Sequence, residues 1–444
     1  MAGHLPGTPP GTSYWPSPWS CEDGGPGRLQ VPMGGPAAGP APGSGSGVTP
    51  CVGPGRDLTV TSRLAPAATM VVTRDPGEVY LLRHTAGDDA ISFVERIDPV
   101  TLEPILRSPD LAGGPTWPGS LAAHANGSLY VVFGNHAHRL EADLSVVATT
   151  ALPRARPYNG FVIMPDGCLV TKDFAGSRPG LPVAPADREA CELVVLEPDR
   201  LEILDRCALA EPSIARLSAE GDDVYVVGDT GLLRVRWDGR LRPDTAFHAP
   251  YRTRSGQTYG WDCVLALGAA WFLDNGDGTE GYTGTLRGHG LSTAPLHLVR
   301  TDLLSGAVTS VEVCAEPGGL VANPPLIDTD RSIAVGYDSG NGVMRAFDIG
   351  ADGALTPRWD RHQNHGSHLL LFPDSGELLT GHHDPDRMID QAVLLDIGTG
   401  AELARADTGS PLQSVLFPAA GFDGDAYLVT FSTVSRLALG TPAG

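Results

Sequence analysis

The chain consists of short apolar runs separated by turn residues, and one kind of run recurs eight times. The copies are EVYLLR at 78–83, SLYVVF at 128–133, CLVTKD at 168–173, DVYVVG at 223–228, AAWFLD at 269–274, SIAVGY at 332–337, ELLTGH at 377–382 and DAYLVT at 425–430. Each follows a turn such as Asp75-Pro-Gly, Asn126-Gly, Asp166-Gly or Asp374-Ser-Gly, which supplies the positive φ or Asx geometry of a hairpin. A third apolar strand then runs into a turn bearing Asp98, Glu141, Glu197, Asp238, Asp302, Asp348 or Asp396. Units recurring every 50 residues or so are the signature of propeller blades. The eighth hairpin is followed by SRLALG and lacks an outer strand, and DLTVTSRL at 57–64 is available to supply it. The pattern predicts an all-β chain, a single β-propeller of about eight four-stranded blades over residues 56–440, closed by the N-terminal strand. Closure of this kind removes exposed sheet edges. If one irregular unit is an insertion, the count is seven.

Composition agrees: 56 glycines and 39 prolines spread along the chain suit tight turns, and 41% apolar residues suffice for a large core. Residues 1–55 are dominated by Gly, Pro, Ser and Ala and read as a disordered tail with too few apolar groups to offset ordering. Trp15 and Trp19 are then incidental, and removing residues 1–50 should leave stability unchanged. A formal net charge of −21 argues against nucleic acid or an anionic membrane as partner. No run approaches the roughly 20 apolar residues that span a bilayer, and no secretory leader is apparent. The seven cysteines are odd in number, scattered and without a CxxC pair, which fits a reducing cytoplasm.

The turns IDPVTLEP, TDLLSGAV and LDIGTGAEL resemble those of quinoprotein-like and YVTN-type propeller repeats. The resemblance implies the repeat architecture and no particular activity. The Trp-docking signature of quinone-dependent dehydrogenases is not evident, so no quinone cofactor is expected. A Gly-rich phosphate loop, a GxSxG elbow and an HExxH helix are also missing, which removes nucleotide, serine-hydrolase and zincin readings.

Function should sit on the face where the inner strands begin and the long loops emerge. Converging entrances would form an axial funnel for a small-molecule ligand, with Tyr158, Ser213, Tyr259, Trp261, Asp274, Asp338, His383 and Gln413 as lining candidates. YNGFVIMPDGCLVTKD at 158–173 resembles a blade of the SMP-30, gluconolactonase and strictosidine-synthase group. That resemblance implies that Asn159 helps hold an axial divalent cation, calcium first. Asn323 and His365, at other entrances, are further ligand candidates, and Asp173, Asp262 and His368 are catalytic candidates. A bound ion would polarise a lactone or ester carbonyl, giving metal-assisted hydrolase or lyase chemistry. HQNHGSHLLLF and GHHDPD place His365, His368, His382 and His383 in one blade, which makes a His-ligated transition metal the second cofactor reading. The insertion at 274–296 is a candidate lid. The alternative of a different class is a non-catalytic scaffold for a protein partner.

Overall fold

In the computed structural model, which describes residues 13–33, 58–178, 183–247, 249–279 and 291–439, the eight hairpins build eight antiparallel sheets. The inner strands are Ala68–Thr73, Ser120–Ala123, Tyr158–Ile163, Ser218–Glu220, Val264–Ala266, Leu326–Asp328, Leu370–Phe372 and Ala419–Ala420, which we number as blades 1 to 8. Blade 5 carries an additional inner segment, Gln257–Gly260. The recurring runs are the second strands. Leu129–Phe133 is buried at every position, whereas the outer strand Ile203–Ala208 alternates between exposed and half-buried positions. Strands covered on both faces read as continuous apolar runs, and strands with one wet face alternate. The core lies between adjacent sheets, as where Val264, Trp271 and Leu273 meet Leu326, Val335 and Tyr337.

The repeated acids hold the corners between third and fourth strands. Asp98 Oδ1 accepts the Val100 and Thr101 amides at 2.9 and 2.7 Å, and Asp302 takes those of Leu304 and Ser305 likewise. Four residues after Asp98, Glu197, Asp302 and Asp396 the chain turns left-handed: Gly306 has φ 72° and Gly400 has φ 71°, but Leu102 and Leu201 adopt the same conformation at 65° and 60°. A left-handed non-glycine residue costs about 1–2 kcal/mol. Both leucines are fully buried, and burial worth about 1.5–3 kcal/mol offsets the strain.

The ring closes as the sequence predicts. Leu58–Leu64 pairs antiparallel with the last strand, from Leu58 opposite Leu439 to Leu64 opposite Thr433. No helix among the described residues is long and apolar enough to cross a membrane. The six described cysteines form no disulfide. Of the candidate lid, residues 280–290 lie outside the described residues, as do residues 1–12 and 34–55 of the expected tail.

Residues 13–33 depart from the expectation of disorder. They run inside the ring and touch every blade. Trp19, Ser20, Pro26, Gly27 and Gln30 offer backbone carbonyls to the amides of Thr73, Ala123, Ala219, Leu265 and Leu371, the inner strands of blades 1, 2, 4, 5 and 7, at 2.7–2.8 Å. The Tyr14 hydroxyl accepts the Ile163 amide of blade 3 at 2.8 Å, and Gln30 Nε2 donates to Pro325 O beside blade 6 at 2.6 Å. Glu22–Gly24 lies against Ala419–Ala420 of blade 8. Trp19 is completely buried, packed with Ala68, Val71 and Ala419. The glycines that suggest disorder let the segment fold tightly: Gly24 has φ +65°, and a Cβ there would stand 2.1 Å from Val31 O.

Two consequences can be measured by thermal unfolding. Removing residues 1–33 should lower the melting temperature strongly, not leave it unchanged. Trp19→Ala should cost about 3–5 kcal/mol, the usual range for a large core aromatic. An unaltered melting curve for either variant would contradict the packed position of this segment.

Candidate functional site

In three blades the polar residue two positions ahead of the inner strand joins one buried cluster: Arg216 before Ser218, Asp262 before Val264 and His368 before Leu370. The axial segment adds Glu22, Asp23 and Arg28, and all six side chains are buried. Glu22 forms an ion pair with Arg28 and a second with Arg216 at 2.6 Å, and Ser120 Oγ donates to it at 3.4 Å. Arg28 Nη1 lies 2.5 Å from Asp23 Oδ2 and 3.7 Å from Asp262 Oδ2, while its Nε donates to Leu217 O at 2.8 Å. Asp262 Oδ1 accepts the Arg216 amide at 2.6 Å. His368 Nδ1 approaches Asp23 Oδ1 to 2.8 Å, but out of line, so neither atom has an aligned hydrogen-bond partner.

Three carboxylates therefore face two guanidiniums in a dry environment, where Coulombic effects are large. Burial opposes ionisation of Asp23, but His368 and Arg28 outweigh it and hold its carboxyl below the ordinary value. Burial likewise opposes the charge on Arg28, and Glu22, Asp262 and Asp23 together raise its pKa above the usual arginine value. Asp23, Asp262 and His368 each offer a ligand atom within 4.8 Å of the others, the arrangement a metal ion needs. Arg28 already supplies a cation to two of these three.

The sequence candidates divide accordingly. Asp262 and His368 converge on the axis. Asp173 does not join them, because Arg154 and Arg156 engage one of its oxygens and the Glu192 amide the other at 2.7 Å. Asn159 Nδ2 donates to Ile214 O at 2.9 Å and Asn323 Nδ2 to Gly366 O at 2.6 Å, so each amide clamps neighbouring blades together. His365 bonds Thr380 Oγ1 at 2.7 Å, and burial depresses its pKa to about 3. Tyr158 is core. Ser213 Oγ donates to Val227 O. Asp274 takes Gln257 and His297, and Asp338 takes Asn341. The four histidines of blade 7 separate: His368 faces Asp23, His365 faces Tyr337, His382 faces His362, and His383, like Gln413, lies against Asn364.

Tyr259 and Trp261 do line a common wall, with Trp117, Phe174 and Ile214. Trp117 stacks on Phe174 with ring centroids 4.1 Å apart, and Tyr259 meets Trp261 edge-on at 6.3 Å. Sequence reasoning misses Glu22, Asp23, Arg28 and Arg216. One signal was present: the three charged residues of the first 55 all fall between positions 22 and 28.

No protein-family model matches the chain, and no curated protein matches it in sequence. Solved structures do resemble it. A quinohemoprotein alcohol dehydrogenase from Pseudomonas putida superposes with a TM-score of 0.59 at 8% identity, covering 97% of this chain and 81% of the other. A europium-containing methanol dehydrogenase gives 0.55 at 10% identity, with 93% and 89% covered. BamB from Moraxella catarrhalis gives 0.52 at 11% identity, with 86% and 97% covered. At such identities the likeness shows a fold, the β-propeller, and no activity.

If Arg28 is the central counterion, Arg28→Met should cost about 3–5 kcal/mol by leaving buried carboxylates unpaired. Arg200, whose side chain is 81% exposed in a 3.7 Å pair with Glu202, serves as the control, and Arg200→Met should stay within about 0.5 kcal/mol. Chemical denaturation of both variants checks the contrast, and equal stabilities would refute it.

Proposed function

We propose that the protein recognises a planar, partly apolar small molecule on the funnel face, seated on the aromatic wall above the axial ion network. The observation that carries this reading is the continuity of wall and network. Trp117 adjoins Pro118, whose carbonyl accepts Arg216 Nη2 at 2.9 Å; Ile214 is two residues from Arg216, and Trp261 directly precedes Asp262. Trp117 and Trp261 are half-buried, so each keeps surface for a ligand. Trp261 Nε1 is itself buried, without a protein partner. An apolar wall with a few fixed polar groups is the usual composition of a small-molecule site.

Metal-assisted hydrolysis or lyase chemistry is the second reading, and the Asp23, Asp262 and His368 cluster favours it. Those residues would hold the ion, which would act as a Lewis acid on a carbonyl. Arg28 weighs against it, since an ion bound there must compete with a guanidinium 2.5 Å from Asp23. The recognition reading needs no such displacement.

Thermal-shift titration with a panel of aromatic acids, aromatic amines and aryl lactones tests the proposal. At least one class should raise the melting temperature saturably, and Trp261→Ala or Trp117→Ala should weaken that effect about tenfold or more, as expected for a lost aromatic anchor. The absence of any shift across the panel, or shifts unchanged in both variants, would overturn it.

A further inference from the structure

Away from the axis, the seam between blades 7 and 8 contains a second group of buried polar side chains that the ligand site does not use. Asn364 lies in the connection from blade 6 to blade 7, and Gln413 in that from blade 7 to blade 8. His383 and Asp390 are opposite partners on the second and third strands of blade 7, so their Cβ atoms are roughly 5 Å apart. The four are 4%, 8%, 4% and 1% exposed, respectively. Hydrogen bonds join them into one unit. Asn364 Nδ2 donates to His383 O at 2.9 Å, and the His383 amide returns to Asn364 O at 3.0 Å. Gln413 Nε2 donates to Asn364 O at 3.3 Å, and the Ser414 amide donates to Asp390 Oδ1 at 3.3 Å.

Each residue nonetheless keeps one buried atom without a partner: Asn364 Oδ1, Gln413 Oε1, Asp390 Oδ2 and His383 Nδ1. The amide orientations are fixed, because turning either amide over would set an oxygen against a backbone carbonyl. The unmatched atoms are therefore three oxygens, electron-pair donors with no protein proton or cation to receive them, and an imidazole nitrogen that is an electron-pair donor in the tautomer protonated at Nε2. Buried polar atoms are normally satisfied, and four exceptions in one hydrogen-bonded unit require an occupant.

We propose that this seam is a divalent-cation site ligated by Asn364 Oδ1, His383 Nδ1, Asp390 Oδ2 and Gln413 Oε1. Carboxylate and amide oxygens suit hard ions and imidazole suits softer ones; manganese(II) tolerates both. The site is independent of the small-molecule reading, sharing no residue with the aromatic wall or the axial ion network.

The test is titration of chelator-treated full-length protein with manganese(II), followed by loss of the free-ion electron paramagnetic resonance signal and by melting temperature. We expect saturable binding of about one equivalent with a rise in melting temperature. Asp390→Asn and Gln413→Met should each weaken it about tenfold or more, as loss of a ligand does, while Asp262→Asn leaves it intact. Asp390→Asn keeps the shape and removes the unpaired carboxyl; if it fails to fold, Gln413→Met decides alone. Absence of binding would mean that ordered water fills the seam and would overturn the proposal. So would binding unaffected by the seam variants, or binding abolished by Asp262→Asn, which would put the ion on the axis.

Discussion

A propeller turns one edge of every blade toward solvent and the other toward the axis. Closing the ring pairs the outer strand of the last blade, but the inner strands still turn their free edges toward the axis, and backbone groups there need partners. In this chain residues 13–33 meet that need. Five inner-strand amides donate to their carbonyls, and Tyr14 and Gln30 reach two further blades. Leu58–Leu64 completes one blade, whereas the axial segment reaches the inner edges of them all.

Filling the axis with this segment also determines its chemistry. Glu22, Asp23 and Arg28 enter with the backbone and meet Arg216, Asp262 and His368 at the entrances of blades 4, 5 and 7. Each charge is dry, and each is compensated by a residue distant in sequence, as when Arg28 Nε bonds the carbonyl of Leu217, 189 positions away. The ion network depends on both partners being in place. The aromatic wall follows from the same entrances, because Ile214 and Trp261 lie next to the residues that anchor the network.

What could be read from sequence follows from the range of the interactions. The eight hairpins were legible because turn and strand lie within a few residues, and the corner acids because Asp98 bonds amides two and three residues on. Closure was legible because a missing strand has one obvious donor. Asp262 and His368 were legible as entrance residues, since blade geometry fixes where an inner strand begins. The axial segment was not, because Gly24-Gly25-Pro26-Gly27 has the composition of a disordered linker and its ordering comes from partners elsewhere in the chain. Asn159 and Asp173 belong to paired strands of one hairpin, as anticipated, but interblade carbonyls and nearby arginines claim them first.

The central claim is that residues 13–33 are an integral axial element of the ring. Hydrogen–deuterium exchange tests it most directly, because exchange reports local opening. The account predicts that peptides covering 13–33 are protected to the same degree as the inner strands at Thr73, Ala123 and Leu371. Those three amides should also lose protection in a chain lacking residues 1–33. Exchange of 13–33 at the rate of an unstructured peptide, with the inner strands indifferent to its removal, would contradict it.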